Sequence, residues 1–204
     1  MNAISRTAIL LALAWVPLLS QEKAVTDSGK TIWIYPNGTW KESKAPASVS
    51  IANDMVRPKL STAKASILKG RASIYYNPAK WKPKGVEEGG RSNFTHIDGD
   101  AQAIIITERI QMPLENLEKV ALENAKSAAP DAVIALKETR RVNGVNVTVL
   151  QIRGTIEGTS FVYYGYYYSF DKGVIQVITF TSKNLFNEYK TDFDDFLNGL
   201  TIEP

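Results

Sequence analysis

The sequence predicts an α+β fold, a curved antiparallel β-sheet of about six strands packed by two main helices. Four apolar segments between residues 132 and 182 are joined by tight-turn sequences. One of them, SFVYYGYYYSF at 160–170, is apolar on both faces, and two other stretches repeat their apolar residues at the helical period. A strand that is apolar on both faces needs a layer on each side. The two helices can supply those layers.

The N-terminus predicts a secretory signal peptide at residues 1–20. A short polar segment containing Arg6 is followed by an apolar run that ends at Leu19, and charged residues come soon afterwards. The run is too short to cross a bilayer comfortably as a helix. We expect cleavage after Ser20 and a periplasmic or secreted mature protein without a membrane span. An uncleaved membrane anchor and a buried N-terminal helix are the alternatives.

Composition narrows the classes of partner and site. The net charge is only +3, and the basic residues are spread along the chain. Proteins that bind nucleic acid usually concentrate basic residues on one face, so we expect no nucleic-acid partner. The chain has no cysteine, which excludes disulfides, thiolate metal sites and lipid attachment to a cysteine after the signal. The hydrophobic fraction of 44% is sufficient for a substantial core.

The segment after the signal peptide contains one hairpin signal. In TIWIYPNGTWKE, Asn-Gly at 37–38 lies between two short strand-like runs. Both central positions of such a turn need positive φ, which Asn and Gly tolerate. We predict a β-hairpin segment at 21–42. Residues 43–70 are rich in Ala, Ser, Lys and Pro, which predicts a linker with room for a short helix, and the main domain follows at 71–204.

The first half of the main domain predicts three strands and a helix. ASIYYN at 72–77 is strand-like, and 79–91 has the composition of a polar loop. FTHI and AQAIIITERI flank Asp-Gly at 98–99, which predicts a hairpin. Pro113 is placed to begin a helix, because its missing N–H has no intrahelical partner at that position. Pro130 ends the helix.

The second half predicts a four-stranded meander and a closing helix. Turn sequences at 143–144, 157–158 and 171–173 join the four strands, which must therefore be antiparallel neighbours. A final helix follows, and Gly199 suits its C-terminal cap. Its apolar stripe consists of Leu185, Phe186, Tyr189, Phe193, Phe196, Leu197 and Leu200.

The order of these elements resembles the PsbP-like fold. The similarity lies in a strand pair, a helix opening with Pro-Leu-Glu, a VNG hairpin, a GYYYS strand, a QVITFTS strand and a terminal FDDFLNGL helix, and it covers about 71–202. That family includes the photosystem PsbP subunits, the Ran-binding Mog proteins and bacterial envelope proteins of unknown role. The upstream segment 27–42 resembles a short DGTW segment of exported bacterial proteins, with Asn37 replacing Asp.

The resemblance implies a fold more strongly than a role. Family members with known roles are non-catalytic accessory or binding proteins, so the resemblance implies a non-enzymatic protein. The functional residues of the photosystem and Ran-binding members have no counterpart here, so neither role is transferred.

Aromatic residues are the candidate binding residues. Tyr164, Tyr166 and Tyr168 share one face of a strand, and rings with polar tips suit sugars, peptides or apolar ligands. Core packing in a sheet that is buried on both faces explains them as well, and better. Trp81 stands between two lysines in the expected polar loop, so core packing explains it least. We predict it as the contact for a partner.

The titratable residues form no recognisable catalytic motif. His96 is the only histidine, with Asp98 and Asp100 nearby in sequence, and a histidine at a strand end is usually structural. We therefore expect no catalytic residue, no metal and no cofactor. Three acids of the last helix are expected to form a solvated face, namely Asp192, Asp194 and Asp195.

The sequence thus favours an exported, non-enzymatic binding or accessory protein of the cell envelope. Its partner would be another envelope protein or a small ligand held on one face of the sheet. The alternative is a hydrolase with a carboxylate/histidine site around Glu108 and His96, which requires these residues and a second acid to meet in one pocket. A third hypothesis has the hairpin segment 21–42 dock to the envelope, with the large domain as a scaffold.

Overall fold

A computed structural model represents the protein. It describes residues 22–25, 31–34, 39–42, 54–87 and 90–203. The predicted signal peptide lies outside these residues. The chain divides into two compact units, 1–49 and 50–204.

The first unit contains a small antiparallel sheet. Strands β1 (Glu22–Val25), β2 (Thr31–Ile34) and β3 (Trp40–Glu42) lie in the order β1-β2-β3. Ile34 pairs with Trp40, so β2 and β3 adjoin the predicted Asn-Gly turn on either side. The turn sequence itself lies outside the described residues. Strand β1 pairs with the free side of β2 and was not predicted.

The second unit contains a larger and a smaller sheet, and every pairing between their strands is antiparallel. The larger sheet has seven strands in the order β6-β7-β8-β12-β11-β10-β9. These strands are β6 (Trp81–Glu87), β7 (Arg91–His96), β8 (Gln102–Glu108), β9 (Val133–Val142), β10 (Val145–Ile156), β11 (Thr159–Phe170) and β12 (Gly173–Ser182).

A three-stranded sheet and two helices complete this unit. Strands β4 (Ala63–Ile67), β5 (Ala72–Tyr76) and β13 (Leu200–Ile202) lie in the order β13-β5-β4. Helices α1 (Leu114–Ala128) and α2 (Phe186–Leu197) begin and end close to the predicted positions. The α+β prediction is confirmed, although the strand count exceeds about six.

One additional strand lies in the predicted polar loop. Residues 79–91 contain β6, an edge strand that pairs with β7. Its pairing shifts register between Pro83 and Val86, and Gly85 in between has φ of 108°. Proline and glycine occur in strands mainly at edges and bulges. The composition that resembles a loop therefore belongs to an irregular edge strand, and the loop prediction was wrong.

Another additional strand lies in the predicted linker. Strand β4 pairs with β5 along its whole length, and its outward side chains include Lys64 and Ser66. An edge strand with small and polar outward residues lacks the apolar pattern by which strands are recognised. The linker assignment of 43–70 is therefore wrong for residues 63–67. Residues 43–53 lie outside the described residues.

The two helices pack on opposite faces of the seven-stranded sheet. Strand β11 shows this, because Tyr164 and Tyr166 enter the cluster around α2 while Tyr167 enters the cluster around α1. Gly154 of β10 has no side chain where the chain after α1 passes closest, and a Cβ there would lie 2.7 Å from Cβ of Ala129. The layers on both faces of β11 match the prediction from its two-sided apolarity.

Helix α1 covers only part of its face. Seven strands spaced about 4.8 Å apart make a sheet roughly 30 Å wide. A helix with its side chains is about 10 Å wide, so it covers two or three strands. Helix α1 packs on β10 and β11. On this face of the sheet, the neighbouring strands β12 and β8 therefore lie to one side of the helix, which does not cross them.

Candidate functional site

A small recess lies where α1 meets the uncovered part of the sheet. Its volume is about 130 Å³. Four strands (β8, β10, β11 and β12) and helix α1 contribute its walls, because α1 crosses the sheet at the boundary between covered and uncovered strands. The lining residues are Ile106, Ala121, Asn124, Ala125, Ile152, Tyr163, Tyr167, Gln176 and Ile178.

An apolar strip continues from the recess across the open face. It consists of Ile104, Ile106, Tyr163, Ile178 and Phe180, all partly exposed. Cross-strand register holds it together, because Ile104 pairs with Ile178 and Tyr163 pairs with Phe180. The rings of Tyr163 and Phe180 are 5.5 Å apart. Three of the five residues also line the recess, so the two features form one surface.

Gln176 is the most unusual residue of the recess. It is 2% exposed, and its side-chain amide makes no hydrogen bond with any described residue. Its neighbours across the sheet are Ile106 and Tyr167. Among the described residues, the Ser61 hydroxyl is the polar side-chain group that is fully buried without a partner, so the Gln176 amide is reached through the recess. An unpartnered polar group that opens into a ligand-sized recess is available to a bound ligand.

Two tyrosine hydroxyls accompany this amide. Tyr167 is 2% exposed, and its hydroxyl has no hydrogen-bond partner in the described part of the chain. Burial raises the pKa of Tyr167 and of Tyr163 above the ordinary value. Both hydroxyls are therefore neutral at physiological pH. None of the nine lining residues is charged.

The aromatic residues predicted as contacts lie elsewhere. Trp81 is only 1% exposed and packs between His96 and Phe196, with ring separations of 5.1 and 4.8 Å. It is a core residue, so the prediction of a partner contact there was wrong. Its two lysine neighbours point outward because β6 alternates between core and solvent.

Tyr164 and Tyr166 are also core residues. Both are 0% exposed, and their hydroxyls are bound to α2. The Tyr164 hydroxyl donates to Asp194 at 3.0 Å, and the Tyr166 hydroxyl donates to Asn198 Oδ1 at 2.8 Å. These two rings are therefore inaccessible to a ligand. Tyr168 is partly exposed beside Phe170, at 5.3 Å between ring centroids, and its ligand role stays a prediction.

Arg140 completes the polar contacts under α2. Its guanidinium donates to Glu138 at 2.6 Å, to Asp194 at 3.3 Å and to the Tyr166 hydroxyl at 3.5 Å. Burial raises the pKa of Tyr164, and nearby Asp194 raises it further. This network fastens α2 to the sheet. Asp194, which was expected only on a solvated face, therefore also makes structural hydrogen bonds with Tyr164 and Arg140.

His96 lies in a second polar cluster under α2. Its side chain is 1% exposed, with Nε2 3.1 Å from the Asp192 carboxylate and Nδ1 3.3 Å from the Asp98 carboxylate. Lys80 also contacts Asp192, at 3.2 Å. Both carboxylates orient the imidazole, and the cluster joins β7, the following loop and α2. Asp192, like Asp194, thus has a structural contact that the solvated-face prediction missed.

Glu108 does not meet His96. The backbone of His96 bonds Ala101, just before β8, whereas Glu108 is the last residue of β8. The extended strand between them spans about 20 Å. The condition for the hydrolase hypothesis, convergence of these two residues in one pocket, is not met.

A larger cleft surrounds Glu108. Its volume is about 680 Å³, and exposed Lys69, Glu108 and Arg109 lie along it. Residues 88–89, next to its lining residue Gly90, lie outside the described residues, so its wall is described only in part. All nine residues that line the recess are described, and they include Gln176 with its unpartnered amide. The recess is therefore the stronger candidate site.

Among the described residues, no three or more histidines and carboxylates form a group that could hold a metal ion. In the same part of the chain, no helix is long and apolar enough to cross a membrane.

Sequence reasoning missed the recess because it selected the wrong face of β11. The candidate tyrosines were the even-numbered ones, which face α2, whereas Tyr163 and Tyr167 face α1. One signal was available: Gln176 interrupts VIQVITF, a strand that is otherwise apolar on most positions of both faces. A buried polar residue is more informative than an exposed apolar one.

Comparison with known proteins supports the fold. No family model matches the sequence, and no curated protein is similar to it. Among solved structures, the chain is similar to the cyanobacterial PsbP protein CyanoP from Synechocystis, with 15% identity and a TM-score of 0.52, covering 71% of this chain and 94% of CyanoP. This similarity agrees with the motifs of residues 71–202.

More distant structures were also found. LpqN of Mycobacterium tuberculosis, described as involved in cell envelope biogenesis, has 10% identity and a TM-score of 0.47, covering 65% of this chain and 83% of LpqN. A Pseudomonas aeruginosa protein of unknown function, described as a putative regulator, has 12% identity and a TM-score of 0.46. The match covers 86% of this chain and 98% of the Pseudomonas protein.

Proposed function

We propose that this chain, which has a PsbP-like fold, is an exported, non-enzymatic binding protein of the cell envelope that holds a small ligand beside α1. The observation that carries the proposal is the unpartnered amide of Gln176 in the recess. The N-terminal signal sequence supports export, and the known members of the PsbP-like family support a non-catalytic role. N-terminal sequencing of the exported protein tests the first part, with Gln21 as the expected first residue.

The recess has the composition of a ligand site. Ligand pockets are mainly apolar, with a few polar groups that fix the orientation of the ligand. Here isoleucine and alanine side chains form most of the wall, and Gln176, Tyr163, Tyr167 and Asn124 supply the polar groups. The adjoining apolar strip offers surface for a ligand larger than the recess.

The size of the recess sets the expected affinity. A ring-sized probe that loses about 150 Å² of apolar surface gains about 4 kcal/mol. That free energy corresponds to a Kd of about 1 mM. Contacts along the strip would strengthen the binding of a larger natural ligand. The first test therefore needs a method that detects weak binding.

Methyl NMR of the mature chain is such a method. We expect small uncharged aromatic compounds to shift the methyl signals of the recess, in particular those of Ile106, Ile152 and Ile178. The variant Ala125→Phe fills the recess and should abolish these shifts. The variant Ala128→Phe places the same ring on an exposed position of α1 and should leave them unchanged.

The result of this titration decides the proposal. Loss of the shifts in the filled variant alone supports the site. If no compound shifts these signals at concentrations well above 1 mM, or if binding survives Ala125→Phe, the recess is not a ligand site.

A further inference from the structure

We propose that the part of the ligand that enters the recess is an uncharged ring bearing one hydroxyl or amide group, and that Gln176 selects for this group. The inference rests on the proposed function and specifies the ligand class of the same site. Three properties of the recess carry it: the absence of charge in its walls, its volume, and the polar groups at its base.

The walls exclude a charged group. All nine lining residues are isoleucine, alanine, asparagine, tyrosine or glutamine. An ion that leaves water needs an opposite charge or a metal to offset its lost hydration, and these walls offer none. Burial keeps the Tyr163 and Tyr167 hydroxyls neutral, so neither supplies a negative charge. A carboxylate or ammonium group therefore stays outside.

The volume limits the buried part to about one ring. The recess measures about 130 Å³. An engineered apolar cavity of about 150 Å³ binds benzene, which gives the scale. The strip beyond it continues with the rings of Tyr163 and Phe180, 5.5 Å apart. Aromatic groups favour such neighbours, so the ring of the ligand can contact both while its buried edge faces Gln176.

The polar groups require a hydrogen-bonding substituent. The Gln176 amide offers donors and an acceptor, and the Tyr167 hydroxyl offers both a donor and an acceptor. Neither has a partner among the described residues. A purely apolar ring would shield the Gln176 amide and the Tyr167 hydroxyl from water and would not replace their hydrogen bonds to water. A hydroxyl or amide on the ring would pair with them.

Selectivity follows from this difference. Sites built to hydrogen-bond a ligand group discriminate strongly against analogues that lack it, because buried polar groups are then left unpaired. We therefore assign the selection to Gln176, which shares the sheet wall of the recess with Tyr163 and Tyr167 and offers more hydrogen-bonding groups than either hydroxyl.

Three matched probes test the selection: phenol, toluene and benzoate. Each is titrated into the mature chain and followed by the methyl signals of the recess. We expect phenol to bind about tenfold more tightly than toluene, the factor that corresponds to one net hydrogen bond. Benzoate should cause no shifts at these positions.

Substitution of Gln176 should weaken the preference. In Gln176→Leu the amide is lost while the Tyr167 hydroxyl remains, so we expect the preference for phenol over toluene to fall well below the factor of the wild type. Gln176→Met serves as a second variant of similar length if the leucine variant does not fold. Gln111→Leu, an exposed position outside the recess, should keep the preference for phenol.

The outcomes separate the two proposals. If toluene binds the wild-type chain as tightly as phenol, or if benzoate binds most tightly, the ligand class is wrong while the site remains. If the preference for phenol persists undiminished in both Gln176 variants, Gln176 is not the selecting residue. If none of the three probes reaches the recess in any variant, the proposed function fails together with the inference.

Discussion

The contacts of one residue, Asn143, explain why the VNG turn contains asparagine. Asn143, in the VNG turn, has φ of 46°, a conformation that asparagine tolerates better than most residues. Its amide donates to the carbonyls of Asn198 and Leu200 at 2.8 and 2.7 Å, and its side-chain oxygen accepts from the Arg57 N–H at 2.8 Å. The Asn143 side chain thus connects the turn between β9 and β10 to the residues that follow α2 and to Arg57, which precedes β4.

Replacing Asn143 should therefore cost more than a usual turn substitution. Asn143→Ala loses three hydrogen bonds and leaves alanine at positive φ, so we expect the free energy of unfolding to fall by about 2–4 kcal/mol. Asn143→Gly loses the same three hydrogen bonds but tolerates the positive φ, so its stability should lie between that of Asn143→Ala and that of the wild type. Urea unfolding measures both. Asn146→Ala, on an exposed position of β10, is the control and should change stability by less than about 0.5 kcal/mol.

The tyrosines of β11 predict a loss of stability at alkaline pH. Burial raises the pKa of Tyr164, Tyr166 and Tyr167 in the folded protein. In the unfolded chain, tyrosine ionises near pH 10. Below that pH all three are neutral in both states and their contribution is constant. Above it the unfolded state loses protons first, so the free energy of unfolding falls as pH rises.

Tyr167→Phe isolates this effect. The Tyr167 hydroxyl has no partner in the described structure, so its loss should leave stability near neutral pH almost unchanged. Between about pH 10 and pH 11 the variant should lose less stability than the wild type, because one ionisation of the unfolded state is removed. Urea unfolding across this range measures the difference. Parallel curves would show that Tyr167 ionises equally in both states.

At the level of elements, turn chemistry made the meander predictable. Strands β9 to β12 are joined by turns in which Asn143, Glu157 and several glycines take positive φ, and the apolar pattern is continuous between them. Strands β4 and β6 lack these signals because edge strands need fewer apolar residues. Their partners β5 and β7 are the next strands along the chain, so the missing signal was the apolar pattern and not the distance in sequence.

Helix α2 was predicted from its apolar stripe, but its polar contacts were not. Asp194 accepts hydrogen bonds from Tyr164 and Arg140 and also contacts Lys190. Asp195, its neighbour, has a pKa raised by burial and by the adjacent carboxylates. Asp194 and Asp195 look alike in the sequence and differ only in their contacts. The packing of α2 on the sheet gives Asp194 hydrogen-bond partners, whereas Asp195 lies beside other carboxylates.

These two acids should respond in opposite directions to the same substitution. Asp194→Asn weakens the contacts with Arg140 and Lys190, so we expect a loss of about 1–3 kcal/mol in the free energy of unfolding. Asp195→Asn removes a carboxylate that lies beside two others, so it should be neutral or stabilising near pH 7. Urea unfolding of both variants measures this. Equal destabilisation would contradict the assignment of α2 contacts to Asp194.

For the whole molecule, the fold was more predictable than the site. Periodicity and turn residues report local geometry, and these determined the α+β class and the layers around β11. The recess depends on which strands α1 covers, and that depends on the width of the sheet relative to one helix. Gln176 is identified as a recess residue only once the strand pairing places Ile106 and Tyr167 beside it. The site is therefore a property of four strands and a helix together.

The division into two units leads to the last prediction. The buried core residues of the described structure range from Ile67 to Leu200, and both core clusters belong to the second unit. A fragment of residues 50–204 should therefore unfold cooperatively in urea, with a midpoint close to that of the mature chain. It should also bind phenol with the same affinity, because every lining residue of the recess is retained. A fragment that folds but no longer binds would assign the ligand site to the segment 21–49, in line with the hypothesis that the hairpin is the functional part.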